Sequence, residues 1–301
     1  MHLEIQINDT PENKNKLFEL LAKCFPDYWA PRVAAGTAKL SDDVVSVIAH
    51  EDGQIFGHCG IKLFDIKVRG DNFKAAGLCA VAVDPQCRGM GIAGKMCNKV
   101  LEYCREEGIF YGPLYTGLPK VYSRLGWEVY DLPMPLKSGS GKAVVPESSC
   151  CDLDEQQKKR IVDLYENGFS FDGKHVRNEC SWDSLFARED CIWYFAQNAY
   201  ALFIRDGEDF ILCEAYASEN NWKNLADEIS AADFSFIIYL PQNHPLGLLL
   251  ADKTTLEECS KDIWHGEFAM INLLDLDHEY CQALSNIIKD KKIFFPLADK
   301  F

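Results

Sequence analysis

No apolar run in the 301 residues approaches the length of a membrane-spanning helix, so neither a transmembrane segment nor a membrane partner is expected. The first residues, MHLEIQINDTPENK, lack the basic start and apolar middle of a signal peptide. The 13 cysteines include no C-x-x-C pair. No Cys/His cluster has zinc spacing, so no metal site is expected. Without an export signal the cysteines read as reduced thiols of a cytoplasmic protein. Basic charge is also short, with 31 Lys+Arg against 46 Asp+Glu. A net charge of −15 argues against a nucleic-acid partner.

The charge is unevenly spread. Residues 1–150 carry 17 basic against 18 acidic side chains, and residues 151–301 carry 14 against 28. The acidity therefore belongs to the second half. It serves either as a solvated, solubility-keeping surface or as a field that attracts cations.

Length predicts two or three domains, and hydrophobic periodicity an α/β (α+β) fold. Thr10 caps a helix that starts at Pro11, with Leu17, Leu20, Leu21 and Cys24 on one face. DYWAP reads as a loop. DVVSVIAHEDGQIFGHCGIKLFDIKV reads as two strands joined at Asp52-Gly53, RGDN as a second turn, and FKAAGLCAVAV as a third strand. A helix is predicted from Gly91 to Glu107, with Met96, Val100, Leu101 and Cys104 as its buried stripe. Strand IFYGPLYT, helix LPKVYSRL and strand WEVYDL follow. Residues 133–149, rich in Pro, Gly and Ser, read as a linker. The second half repeats part of this order: helix, strand meander, helix, the buried strand FSFIIYL, and the short helix LGLLLADK.

The stretch VAVDPQCRGMGIAGKMCNKVLEYC carries the chemistry. A glycine-rich turn leads from a strand into a helix, whose first amides have no internal partner and sit at the positive end of its dipole. Gly89 to Gly94 formally fits G-x-G-x-x-G. Yet five residues, Asp84 to Arg88, separate it from the strand, and the next strand ends in Tyr115-Thr116-Gly117 without an acid. A dinucleotide site is excluded on both counts. No Gly-Lys-Ser/Thr follows, so a nucleoside-triphosphate loop fails as well.

Arg88-Gly89-Met90-Gly91-Ile92-Ala93 instead resembles the R-x-x-G-x-A acetyl-coenzyme A signature of the GNAT superfamily of N-acetyltransferases. VYSRLGWEVYD resembles that superfamily's later segment, with Tyr122 at the tyrosine and Gly126-Trp127 at the Gly-Phe. The resemblance covers residues 1–132 and implies a mixed, mostly antiparallel sheet flanked by helices. It implies that acetyl-CoA is bound by the amides of Arg88, Gly89, Met90, Gly91, Ile92, Ala93 and Gly94, with the edge of Val81, Ala82 and Val83 pairing the pantetheine. It also implies an oxyanion-binding amide near Val83 and Tyr122 as the acid that protonates the leaving sulfur. Arg88 could equally stabilise the turn, and Tyr122 could merely pack. The family's frequent Asn before this tyrosine is not evident, since Gly117 to Lys120 fill that stretch. His50 and His58 lie on the first meander; a lone strand histidine is more often structural.

The whole layout resembles the enhanced-intracellular-survival (Eis-like) type, on the segments SWDSLF, YALFIRDGEDFILCEAYA, YLPQNHPLGLLL and FAMINLLDLD. There a working domain precedes a degenerate GNAT-like one, expected here over 150–270. The resemblance implies an amine acceptor, a cationic small molecule or peptide, attacked directly. It leaves a homo-oligomer open. The alternative is a non-catalytic acetyl-CoA-binding sensor that keeps only the fold. Only 31 residues follow Met270, too few for the further domain that family carries. The segment 271–301 is expected to dock back towards the site. Phe301 matches the aromatic end of that family's chain, where the terminal carboxylate takes the amine's proton; the tail could equally only cover a groove.

Overall fold

The computed structural model describes residues 4–7, 11–40, 44–109, 111–130, 136–138, 149–150, 153–196, 198–206, 209–218, 221–231, 235–241, 243–253, 256–258 and 268–273. The first half runs β1 (Glu4–Ile7), α1 (Pro11–Cys24), α2 (Pro26–Ala34), β2 (Val44–Glu51), β3 (Gln54–Val68), β4 (Asp71–Val83), a 3-10 turn (Pro85–Cys87), α3 (Ile92–Glu106), β5 (Tyr111–Thr116), α4 (Pro119–Ser123) and β6 (Glu128–Val129). The second half runs β7 (Leu136–Ser138), β8 (Ser149–Cys150), α5 (Glu155–Asn167), β9 (Lys174–Val176), α6 (Glu179–Phe186), β10 (Cys191–Ala196), β11 (Ala199–Asp206), β12 (Asp209–Ala217), α7 (Trp222–Ala231), β13 (Phe236–Ile238), α8 (Pro245–Lys253), β14 (Leu256–Glu258) and β15 (Phe268–Leu273).

Two mixed sheets result, in the orders β1-β2-β3-β4-β5-β15-β6 and β14-β7-β13-β12-β11-β10-β8. Each is an antiparallel meander with one parallel pair, β4 with β5 and β12 with β13. Each parallel pair is bridged by a crossover helix, α3 or α7, as parallel neighbours require. Alternation along β2 puts Val47 and Ala49 against α3 and Ile48 against α1 and α2. The second sheet is clothed the same way, by α7 and α8 on one face and α5 and α6 on the other.

The sheets exchange strands. β15, from the end of the second half, inserts between β5 and β6 of the first sheet, pairing Met270 with Leu114 and with Val129. β7, from the segment expected as a linker, inserts between β13 and β14 of the second. β9 adds to β3, with Lys174 opposite Lys67. The structure therefore departs from the expected boundaries. Part of 133–149 is sheet, and Phe268–Leu273 straddles the limit at 270 and belongs to the first sheet. Polar punctuation marked the linker, but main-chain pairing across the sheets decides where a strand goes. Of the segment 271–301, residues 274–301 lie outside the described residues.

Two turns follow from local chemistry. Asp52 and Gly53 have φ of +49° and +74°, and Arg69 and Gly70 have +52° and +90°, the left-handed pairs that tight hairpins need. DYWAP, expected as a loop, is instead part of α2. Pro26 opens that helix, Asp27 lies in its first turn, and the buried Trp29 stacks on Phe18 with ring centroids 5.7 Å apart. That packing outweighs the backbone hydrogen bond forfeited at Pro31.

Among the described residues of the second half, the buried charges of Arg177, Glu214 and Lys174 are partnered. Arg177 makes a two-pronged ion pair with Glu214 (2.5 and 3.1 Å) between the rings of Tyr165 and Trp182, and Tyr200 donates to the same carboxylate at 2.7 Å. The ammonium of Lys174 donates to the carbonyls of Tyr165 and Phe169 and faces the rings of Tyr165 and Tyr216; burial lowers its pKa to about 8.

Candidate active site

The site lies where β4 and β5 part. Among the described residues the two strands pair only at Ala75 and Tyr111, although β4 continues to Val83 and β5 to Thr116. On its other edge β4 stays paired with β3 to Gly57 and Val83, and the Asp84 amide donates to the Phe56 carbonyl at 2.8 Å. Alternation then turns the backbone groups of residues 82 and 84 towards β3, and those of Val81 and Val83 towards the opened edge. The Val83 carbonyl there accepts from Cys24 Sγ (3.4 Å) and Arg88 Nε (3.3 Å).

A bulge sets this phase. The register of β3 with β4 slips between His58 and Gly60, so Cys59 faces two residues, Ala80 and Val81. Ala80 has φ +47°, a left-handed conformation that costs an alanine about 1 kcal/mol.

Beyond β4, Asp84 accepts from the Gln86 amide (2.9 Å) and from Lys23 (2.8 Å), which holds its carboxyl below the ordinary aspartate range. The chain then turns through Gly89 (φ +82°) and Gly91 (φ +75°), where L side chains are strained. A Cβ at either glycine would meet nothing within 4 Å. These two glycines therefore satisfy the backbone and leave the approach open. Gly91 caps α3 without a side-chain hydrogen bond, and its carbonyl accepts from the Lys95 amide at 3.1 Å. The amides of Ile92, Ala93 and Gly94 are the helix's unpaired first donors. Arg88, Gly89, Met90 and Gly91 are exposed, Ala93 and Gly94 half-buried. The Ile92 side chain is buried in the core, so only its backbone is on offer.

Tyr122 ends on the same side. It packs with Val81 and Val83 against the cluster of Ile92, Met96 and Cys97. A Cβ on Gly94 would lie 3.9 Å from Leu125, which ties the start of α3 to the turn after α4. The Tyr122 carbonyl accepts from the amides of Leu125 (2.9 Å) and Trp127 (3.2 Å), and its ring stands edge-on to Trp127. Trp127 in turn donates from Nε1 to the Gly112 carbonyl at 2.9 Å. β15 braces this turn: Asn272 Nδ2 donates to the Leu125 carbonyl, and a Cβ on Gly126 would come within 3.1 Å of that nitrogen. Burial first, and then the neighbouring Cys97 and Cys59, push the Tyr122 pKa well above that of an ordinary phenol. Its hydroxyl therefore holds its proton throughout the physiological range.

The structure thus brings Val81, Val83 and Tyr122 together with the start of α3, and Arg88 against Val83. Arg88 does support the turn, through Val83. Phe301 lies outside the described residues. Sequence reasoning missed the bulge at Ala80 and the use of His58, Cys24 and Lys23 to hold this edge.

Comparison with known proteins gives the following similarities. Residues 8–130 match the family model described as an acetyltransferase (GNAT) domain. An uncharacterised N-acetyltransferase of Escherichia coli K12, YhbS, is 32% identical over 84 residues, 28% of this chain and 48% of that protein. The chain spans about half the length of the curated relatives it matches. A conserved protein of Enterococcus faecalis V583 aligns over 91% of this chain and 73% of its own, with a TM-score of 0.70 and 16% identity. Eis1 of Mycobacterium abscessus aligns over 91% and 74%, with a TM-score of 0.64 and 13% identity. At these identities the two structures share the fold. Residues 8–130 are thus similar to a GNAT acetyltransferase domain, and these longer neighbours share the fold of the chain.

Proposed function

We propose that the protein is an acetyl-CoA-dependent N-acetyltransferase whose acceptor is the primary amine of a cationic small molecule or peptide. The observation that carries this reading is the juxtaposition of an opened β4 edge, a glycine-capped helix start and a proton-holding tyrosine. The cofactor fits the residues present: the open space at Gly89 and Gly91 admits a pyrophosphate to the unpaired amides at the start of α3. Val81 and Val83 offer backbone groups along β4 to the pantetheine, as an added strand would use them.

Bound acetyl-CoA supplies a thioester, an acyl group on a good leaving sulfur. The chain's own residues do three things. The β4 amides orient and polarise the carbonyl. The Tyr122 hydroxyl delivers a proton to the departing sulfur. The α3 amides hold the pyrophosphate. A neutral amine would attack the carbonyl directly as the C–S bond breaks, and the proton its nitrogen sheds, passed on through solvent, would replace the one Tyr122 gives to the sulfur. The acidic second half, with 28 acidic against 14 basic residues over 151–301, supports a cationic acceptor. The second sheet has no glycine turn after β12, which supports a single cofactor site per chain.

Thiol release from acetyl-CoA, measured with polyamines, aminoglycosides and lysyl peptides, tests the proposal. Release is expected with at least one of these classes. Tyr122→Phe should lower turnover and leave CoA affinity nearly unchanged, since the lost proton matters in the transition state. Acetyl-CoA binding without thiol release for any acceptor would favour the sensor instead.

A further inference from the structure

The bulge in β4 has a dedicated support. The His58 imidazole is fully buried beneath it, on β3. Its Nδ1 lies 2.9 Å from the Ala80 carbonyl oxygen and its Nε2 lies 3.1 Å from Ser46 Oγ on β2. A carbonyl oxygen can only accept, so Nδ1 carries the proton, and Nε2 accepts from the Ser46 hydroxyl. One ring thus links three adjacent strands through the residue at φ +47°. Gly60 makes the room: a Cβ there would meet Cys79 Sγ at 2.9 Å, Cys79 O at 3.1 Å and His58 Cε1 at 3.3 Å. Burial lowers the His58 pKa to about 4, so the ring is neutral, as this pattern requires.

Bulges re-aim the strand beyond them. Here the residues just past the bulge are Val81 and Val83, which face the opened edge. We propose that His58 is a positioning residue for acyl transfer: held by Ser46, its Nδ1–H fixes the Ala80 carbonyl, and so the bulge that directs the Val81 and Val83 amides at the thioester carbonyl. The inference rests on the acetyl-CoA reading of the site. A histidine serving only as core filler would have no need of a particular nitrogen. That difference can be measured.

The amide of an Asn side chain stands where Nδ1 stands and can still donate to Ala80. The amide of a Gln side chain stands nearer Nε2, reaching Ser46 instead. The probe is acetyl-CoA, with the thioester carbonyl band read by isotope-edited infrared spectroscopy and affinity read by calorimetry. In the wild-type protein the band should shift to lower frequency on binding. His58→Asn should keep that shift and His58→Gln should lose it. CoA affinity should stay within about threefold in both, because the pyrophosphate amides are untouched. Equal shifts in the two variants would overturn the proposal. Should His58→Gln fail to fold, His58→Met takes its place. It fills the site without a donor for the Ala80 carbonyl, and a band unchanged from wild type would then overturn the proposal. Failure of the wild-type protein to bind acetyl-CoA would instead overturn the reading of the site, and this inference with it.

Discussion

Acid should destabilise this protein well above the pH at which its carboxylates protonate. His58 and His244 are both buried, and burial lowers each pKa from 6.5 to about 4. His244 is held as firmly as His58: Nε2 donates to the Ala215 carbonyl at 3.1 Å, and Nδ1 accepts from the Leu246 amide at 3.3 Å. Below pH 6.5 the unfolded chain binds protons at these two rings and the native chain does not. Stability is therefore lost as pH falls from 6.5 towards 4, and the loss saturates below the native value. From about pH 7 to about pH 5 each ring should cost about 2 kcal/mol, and the pair about 4 kcal/mol. Domains are stable by only about 5–15 kcal/mol, so the effect should be plain. The depressed carboxyls of Asp84, Asp190 and Asp227 act lower, since their contribution is lost only as pH falls below about 4. Urea unfolding followed at a series of pH values reads the slope. His58→Asn should remove one titration and roughly halve the loss between pH 7 and 5. A stability flat over that interval, or a loss that begins only below about pH 4, would refute the reasoning.

The strand exchange makes its own predictions. A fragment ending at residue 132 lacks β15 and should not give a cooperative melt, whereas the full chain should; a sharp transition in the fragment would count against the exchange. Met270→Ala removes a fully buried side chain of β15 from the core beneath α3. It should cost about 2–5 kcal/mol in urea unfolding. Asn272→Ala should loosen the turn after Tyr122 and lower acetyl-transfer turnover more than CoA affinity, which steady-state kinetics and calorimetry would separate.

Much of this architecture was legible because it is locally encoded. Asp52-Gly53 and Arg69-Gly70 fix hairpins through the left-handed backbone they need. The stripe Met96, Val100, Leu101 and Cys104 places α3 against the sheet, and all four are buried. Gly89 and Gly91 announce the cradle because an open turn at positive φ has few other residues to choose from. The rest depends on partners far away in the chain. Nothing near Ala80 signals a bulge, because its supports, His58 and Ser46, come from two other strands. His58 looked like any strand histidine until its two nitrogens had named partners. Leu136–Ser138 lies in a stretch punctuated like a linker, and Phe268–Leu273 crosses the limit expected at 270; only pairing with β13 and β5 shows that they are exchanged. The helix at Pro26–Ala34 escaped for a similar reason, since Trp29 on Phe18 outweighs two prolines.

The central claim is that one acetyl-CoA binds at the glycine turn before α3. Calorimetric titration of acetyl-CoA into the full chain tests it most directly, alongside Gly91→Glu. That substitution puts a side chain at φ +75° and a negative charge into the space open to the pyrophosphate. The account predicts one site per chain in the wild-type protein and none in the folded variant. Two sites per chain, or an affinity unchanged by Gly91→Glu, would contradict it.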